Sequence, residues 1–158
     1  MEPRIDYTAA ARDGLSALVS LERYTRASGL EPSLLELAKL RASQINGCAY
    51  CIDMHTKDAR ARGESEQRLY TVSVWRETPF FSNRERAALA WTEAVTQVSR
   101  DQVPDDVYQF ARQQFGEKEL VDLTLAVIAI NSWNRLAISF RTVPGSYQPP
   151  SHAAKAAE

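Results

Sequence analysis

The chain contains few of the residues that build covalent or metal-held frameworks. Its 158 residues include two cysteines and two histidines, which are too few for a disulfide scaffold in a protein of this size. The net charge is −1, from 19 basic and 20 acidic side chains, so the charge balance does not support a nucleic-acid or membrane-surface partner. No stretch approaches the roughly 20 apolar residues that a membrane span needs. These absences leave an ordinary globular domain.

The stretch from Met1 to Asp6 lacks the apolar centre of a signal peptide, so we expect a cytoplasmic protein. Apolar residues make up 44% and charged residues 25% of the chain, as in folded domains. We predict one domain over residues 1–145 and a flexible tail over residues 146–158. The tail contains Pro149, Pro150 and His152.

Helical periodicity dominates the domain, and no strand pattern competes with it over more than one short run. We therefore predict an all-α fold of six to eight helices. Pro32, a capping box from Ser82 to Glu85, and Pro104 mark helix starts, and Asn46-Gly47 marks a helix end. The predicted helices cover residues 7–27, 32–45, 48–63, 65–76, 82–98, 104–116 and 117–138.

The chemistry concentrates in the stretch from Gly47 to His55, which holds both cysteines. Cys48 and Cys51, three residues apart, suit a redox-active pair. In the first turn of a helix, free amides and the helix dipole stabilise a thiolate. His55 lies four residues after Cys51, on the same helical face. The imidazole is therefore positioned to accept the proton of Cys51.

A hairpin at Asn46-Gly47 would add a carboxylate to this group. Glu36 lies ten residues before Asn46, and His55 lies eight residues after Gly47. These separations correspond to about 15 Å and about 12 Å of helix, so an antiparallel hairpin brings Glu36 level with His55. The competing interpretation makes Glu36 part of a capping box that starts at Ser33.

The motif alone leaves open which cysteine attacks. An analogy with thioredoxin favours Cys48, whereas proximity to the base favours Cys51, which is about 6 Å from His55 at Cβ against about 10 Å for Cys48. We predict that Cys51 is the nucleophile and that Cys48 resolves its sulfenic acid to a disulfide.

The stretch from Glu36 to His55 resembles the alkylhydroperoxidase D-like (AhpD-like) branch of the carboxymuconolactone decarboxylase family, with intervals of twelve, three and four residues between its glutamate, cysteines and histidine. The segments 75–77, 85–89 and 131–135 also resemble this branch. The resemblance implies an AhpD-like helical bundle with the cysteine pair at the start of a central helix, and assembly as trimers or hexamers. It implies a thiol-dependent peroxidase without metal, haem or other cofactor, which uses hydroperoxides and a dithiol or protein-thiol reductant. By matching position, Glu36 and His55 relay a proton, Cys51 becomes the sulfenic acid, and Cys48 resolves it.

The chain departs from the founding alkylhydroperoxidase D proteins at Tyr50, where they carry a second histidine. Three other interpretations stay open. The cysteine pair could serve a non-catalytic redox sensor or adaptor, or Cys48, Cys51 and His55 could bind zinc with His152 as a fourth ligand. Lactone decarboxylation fits less well, because that branch typically lacks the cysteine pair.

Other conspicuous residues receive structural interpretations. We predict that Trp75 and Trp91 pack in the core or an interface. Tyr50 either lines the pocket or packs. The apolar run from 123 to 130 favours a homo-oligomer. The polar residues that follow it either close the pocket or form a subunit contact: Asn131, Asn134 and Arg135.

Overall fold

The computed structural model describes residues 2–150, and all regular structure in this range is helical. This confirms the all-α prediction. The range holds nine α-helices, of which seven are at least six residues long. They are α1 (Tyr7–Ala10), α2 (Arg12–Arg26), α3 (Pro32–Asn46), α4 (Ala49–Ala61), α5 (Glu66–Thr71), α6 (Asn83–Thr96), α7 (Val98–Asp101), α8 (Asp105–Gln114) and α9 (Glu117–Phe140), with a 3₁₀ helix (Val72–Glu77) after α5.

The count exceeds the predicted six to eight because two predicted helices are broken near one end. Ala11, at φ −135°, separates α1 from α2, and Gln97, at φ −102° and ψ 25°, separates α6 from α7. The predicted fourth helix continues as a 3₁₀ helix, with a non-helical residue at Val74. Branching at Cβ disfavours the α-helix there.

Several predicted boundaries are confirmed. Pro32 occupies the first turn of α3. Ser82 and Glu85 form the predicted capping box, because each side chain accepts a hydrogen bond from the backbone amide of the other residue. Pro104 is the N-terminal capping residue of α8, one position before the helix begins. The prediction had placed it inside the first turn.

Helix α3 lies at the centre of the fold, in contact with α4, α6 and α9. Its apolar side chains join two adjoining clusters, one towards α6, α8 and α9 and one towards the 3₁₀ helix. Trp75 and Trp91 are buried in these clusters, which confirms their predicted core positions. Their indole nitrogens donate to Glu93 and Thr124 respectively. A helix surrounded on so many sides is a rigid support for the side chains it carries.

Among residues 2–150, α9 is the one helix that is long and apolar enough to cross a membrane, with a mean hydropathy of 1.3 over 18 residues. This corrects the expectation that no stretch approaches that length. In the fold, α9 packs against α2, α3 and α6. Its Asp122 is buried, and the Tyr24 hydroxyl donates to that carboxylate at 2.8 Å. These contacts are those of a core helix in a globular domain.

The central position of α3 predicts the cost of a cavity there. Leu40 is fully buried, so Leu40→Ala should lower the free energy of unfolding by about 2–5 kcal/mol in urea denaturation. Val19→Ala is the control, since Val19 is 44% exposed on α2 and should change stability by less than about 0.5 kcal/mol. Equal effects of the two substitutions would contradict this packing.

Candidate active site

The site begins with the turn that joins α3 to α4. Gly47 caps α3 in the left-handed conformation, at φ 69°, which costs glycine little because it has no Cβ. The amide of Cys48 then donates to the carbonyl of Ser43 at 3.0 Å. The chain reverses within two residues, so α3 and α4 form the predicted hairpin.

Both cysteines lie at the start of α4. Cys48 is the capping residue, and its sulfur accepts a hydrogen bond from the Cys51 amide at 3.3 Å. The two sulfurs form a disulfide, with the Cα atoms 5.3 Å apart. Both residues are buried, at 1% and 2% exposure. Because they occupy the first turn, the amides and dipole of α4 favour a thiolate when the disulfide is reduced.

Glu36 and His55 meet across the hairpin, as the spacing predicts. His55 Nδ1 lies 2.8 Å from Glu36 Oε2, and both side chains are buried. The capping box from Ser33 does not form, since the capping residue of α3 is Glu31. An ionised carboxylate only accepts hydrogen bonds, so Nδ1 carries the proton of this bond. The lone pair of a neutral imidazole is then on Nε2, which has no hydrogen-bond partner among the described residues.

Opposing effects act on the pKa of Glu36. Burial raises this pKa, but the hydrogen bond from His55 and the charges of His55, Lys39 and Arg62 outweigh burial and lower it below 4.5. Arg62 reaches Glu36 at 3.8 Å from the rim, while Lys39 is buried beside it and paired with Glu22 of α2. Glu36 is therefore ionised at neutral pH, as an orienting partner of His55 must be.

A cavity of about 310 Å³ adjoins this group, with Cys51 and His55 among its lining residues. Glu22 and Arg26 of α2 place charge at one wall. The remaining walls come from α1, α4 and α9 and are mostly apolar or aromatic: Tyr7, Thr8, Tyr50, Met54, Ile130, Trp133 and Ala137. Tyr50 lines the cavity and also packs against the buried cluster that contains both cysteines, so both interpretations of its position are confirmed. An apolar cavity with a few polar groups is typical of a small-molecule site.

A second layer of polar side chains lies behind Glu36 and His55. Buried Asp58 accepts a hydrogen bond from the Tyr147 hydroxyl at 2.7 Å. Burial and this bond raise the pKa of Tyr147. The backbone of Tyr147 also accepts from Lys57 at 3.0 Å, so the start of the predicted tail contacts α4. Residues 151–158, including His152, lie outside the described residues. Sequence reasoning missed Asp58 and Tyr147, because residues 89 positions apart share no local pattern.

Glu36, His55 and Asp58 are also the described residues that could hold a metal, since one potential ligand atom from each lies within 4.8 Å of the others. However, His55 Nδ1 and Glu36 already share a hydrogen bond, and the Tyr147 hydroxyl donates to Asp58. Glu36, Asp58 and the Nδ1 atom of His55 therefore have hydrogen-bond partners within the protein, and the Nε2 atom of His55 has none among the described residues. The zinc set of Cys48, Cys51, His55 and His152 includes a residue outside the described range.

The polar residues of α9 hold the hairpin rather than the pocket. Asn46 donates to Asn131 at 3.0 Å and to Asn134 at 2.8 Å. Asn134 is buried and donates to Ser43 at 3.1 Å, while exposed Arg135 bonds back to Asn131. Neither pocket closure nor subunit contact was the correct interpretation of Asn134. It ties α9 to the end of α3, next to the turn that positions the cysteines.

The lowered pKa of Glu36 predicts a pH-dependent stability. A carboxyl whose pKa is lower in the folded state stabilises the fold above its unfolded pKa of about 4.5, and this contribution is lost as the pH falls through the folded pKa. Glu36→Gln should therefore cost about 1–3 kcal/mol of unfolding free energy at neutral pH, and the difference from wild type should narrow below pH 4.5. Denaturant titrations over a pH series measure it, with exposed Glu77→Gln as the control. A difference that is constant with pH would contradict an ionised, paired Glu36.

Comparisons with known proteins agree with this geometry. The model of the carboxymuconolactone decarboxylase family matches residues 10–94. The chain is 44% identical over 139 residues to YdfG, an uncharacterized protein of Bacillus subtilis (strain 168), a match that covers 88% of this chain and 95% of YdfG.

Two solved structures are similar in fold. ATU0492 of Agrobacterium tumefaciens, a protein of unknown function described as a candidate antioxidant defence protein AhpD, is 44% identical and has a TM-score of 0.89, with 92% of this chain and 100% of that chain covered. The debrominase Bmp8 is 17% identical with a TM-score of 0.77 over 88% of this chain and 75% of its own, so it shares the fold alone. Together with the paired cysteines, the Glu36–His55 contact and the all-helical bundle, these matches show that the chain belongs to the AhpD-like branch of the carboxymuconolactone decarboxylase family.

Proposed function

We propose that the protein is a thiol-dependent peroxidase that reduces hydroperoxides through a sulfenic acid and disulfide cycle at Cys51 and Cys48. The observation that carries the proposal is the state of His55. Its Nδ1 is held by a buried carboxylate, and its Nε2 has no partner among the described residues. His55 lines the same cavity as Cys51. An imidazole with an unpartnered ring nitrogen, in the same cavity as a cysteine, is the arrangement that nucleophilic catalysis needs.

Oxidation of the cysteine pair takes two steps. His55 Nε2 takes the proton of the Cys51 thiol, and Glu36 stabilises the resulting imidazolium. The thiolate attacks the terminal oxygen of the hydroperoxide, whose O–O bond breaks, and the imidazolium protonates the departing alkoxide to an alcohol. Cys51 is now a sulfenic acid. The Cys48 thiol gives up its proton as its sulfur attacks the Cys51 sulfur, the hydroxide that leaves takes up that proton to become water, and the disulfide forms. The hydroperoxide is reduced by two electrons and the cysteine pair is oxidised by two.

The cavity supports an organic hydroperoxide as substrate. Its walls are largely apolar and aromatic, and it is small for a ligand pocket, at about 310 Å³. An alkyl or aryl group gains from burial against Met54, Ile130 and Trp133, at about 25 cal/mol per Å² of apolar surface. Hydrogen peroxide offers no such surface, so it should be the poorer substrate.

The cysteine assignments predict distinct defects. Cys51→Ser should abolish hydroperoxide consumption in the presence of a dithiol, because the nucleophile is lost. Cys48→Ser should still be oxidised once by peroxide, and its sulfenic acid on Cys51 should be captured by a sulfenic-acid trap and located by mass spectrometry.

One result would contradict the assignment of the two cysteines, and another would contradict the enzyme. If the sulfenic-acid trap labels Cys48 in the Cys51→Ser variant, and this variant consumes as much peroxide as Cys48→Ser, the roles of the two cysteines are reversed. Wild-type protein that is oxidised stoichiometrically and then stops, with excess dithiol present, would instead support a redox sensor or adaptor. Glu36→Gln is the matched variant for the relay, since it keeps the shape of the side chain and removes its charge. It should slow the oxidation of Cys51 and leave the trapped product unchanged.

We also propose that the protein forms a homo-oligomer through α9. Val121 and Ile128 are 59% and 46% exposed on this helix, and Leu125 lies between them at helical spacing, half-buried. Exposed apolar side chains on one helix face are typical of subunit contacts. A second copy of the chain is the proposed occupant of this surface.

The oligomer is tested by placing a charge in this surface. Ile128→Glu should reduce the mass measured by light scattering after size-exclusion chromatography, because an interface buries the introduced carboxylate without a partner. Val98→Glu, at a 52% exposed position on α7, should leave the mass unchanged. A wild-type protein that elutes as a monomer would refute the proposed contact.

A further inference from the structure

A second cavity adjoins the disulfide at Cys48. It has a volume of about 500 Å³ and is lined by Cys48, Ala49, Ile138, Arg141 and other residues of the α4 start and the chain after α9. Cys51 and His55 are absent from its described lining, just as Cys48 is absent from the lining of the first cavity. Tyr50 and Ala137 are the described residues that line both. Each cysteine of the disulfide therefore lines a different cavity.

We propose that the two cavities separate the two half-reactions, so that the hydroperoxide reaches Cys51 through the first cavity and a small dithiol reduces the disulfide by attacking Cys48 through the second. The proposal rests on the proposed function for its oxidative half. We call the first cavity the oxidant cavity; it is lined by Cys51, Met54 and His55, among others. We call the second the reductant cavity; it is lined by Cys48, Ala49 and Arg141, among others.

The chemistry of the leaving group selects the sulfur that is attacked. In thiol–disulfide exchange, the sulfur that leaves is the one better stabilised as a thiolate. The amides at the start of α4 favour a thiolate at both cysteines. Of the two, Cys51 lines the cavity that His55 also lines, so an imidazolium stabilises the Cys51 thiolate in addition. Attack at Cys48 therefore releases the better leaving group. It also restores the thiolate that the next peroxide consumes.

The dithiol alone supplies both electrons for reduction of the disulfide. One thiolate of the dithiol attacks the Cys48 sulfur, the Cys48–Cys51 bond breaks, and Cys51 leaves as a thiolate. The second thiol of the reductant, once deprotonated, attacks the reductant's own sulfur in the mixed disulfide. Cys48 is released as a thiolate that takes up the proton, and the reductant leaves as a disulfide. Two electrons pass from the dithiol to the cysteine pair.

Burial selects a small reductant. Cys48 is 1% exposed, so a dithiol on the surface of a folded protein has no direct contact with its sulfur. A cavity of about 500 Å³ admits a short flexible molecule. Its walls are apolar at Ala137, Ile138, Val143 and Pro144, and Arg141 is the charged side chain among its described lining residues. A dithiol with an apolar chain and an anionic thiolate or carboxylate suits such walls.

Three tryptophan substitutions on α4 test the separation. Ala49 is exposed and lines the reductant cavity alone, Met54 lines the oxidant cavity alone, and Ala61 is exposed and lines neither. Ala49→Trp should slow reduction of the disulfide by dithiothreitol about tenfold or more, with peroxide oxidation of the reduced protein unchanged. Met54→Trp should slow oxidation by cumene hydroperoxide and spare reduction. Ala61→Trp, the control, should change neither rate.

A single-thiol reagent tests which sulfur is attacked. Oxidised wild-type protein is mixed with 2-mercaptoethanol, quenched in acid, alkylated and mapped by mass spectrometry. The adduct should lie on Cys48, with Cys51 alkylated. An adduct on Cys51 overturns the proposal. The proposal is also overturned if the disulfide of Ala49→Trp is reduced at the wild-type rate, or if this variant loses both half-reactions while keeping its thermal unfolding temperature.

The reductive tests do not depend on peroxidase activity. The disulfide can be formed with a chemical oxidant, so failure of the peroxide step alone refutes the proposed function and leaves the choice of sulfur measurable. A thioredoxin-type protein that reduces the disulfide faster than an equal concentration of dithiothreitol would overturn the assignment of a small reductant.

Discussion

The hydrogen bond between Glu36 and His55 is the contact on which the candidate site depends. A carboxylate buried to 4% exposure is costly unless it is paired. The pairing partner comes from the opposite arm of the hairpin, so this bond holds α3 and α4 in one register. The same bond places the imidazole proton on Nδ1 and leaves the lone pair of a neutral ring on Nε2. Register, ionisation and tautomer are thus set by one interaction.

Much of this could be predicted from sequence because it follows from local geometry. A helix of known rise, a glycine that permits the left-handed turn, and intervals of twelve, three and four residues suffice to bring Glu36, His55, Cys51 and Cys48 together. The Ser82–Glu85 capping box and the start of α9 at Glu117 are local signals of the same kind. The prediction failed at Ala11 and Gln97, where helical periodicity continues through a break in the backbone.

Contacts between distant segments could not be predicted in this way. Asn46 meets Asn131 and Asn134 because α9 crosses the end of α3, and no periodicity of either helix encodes that crossing. The division of the site into two cavities is equally hidden. It depends on Tyr50 and Ala137, which belong to different helices and line both cavities. In the sequence, Tyr50 is a departure from the founding members of the family, whereas in the fold it lines both cavities.

The candidate catalytic residues occupy a short interval, yet the cavity they serve is built from both ends of the chain. Tyr7 lines it from α1, and Trp133 and Ala137 line it from α9. Contacts of such long sequence separation form late in folding and carry a high loop-closure cost. The α3–α4 hairpin needs only local contacts to bring its cysteines and imidazole together, whereas the walls of the cavity need contacts between distant segments. We therefore expect the hairpin to form before the cavity around it closes.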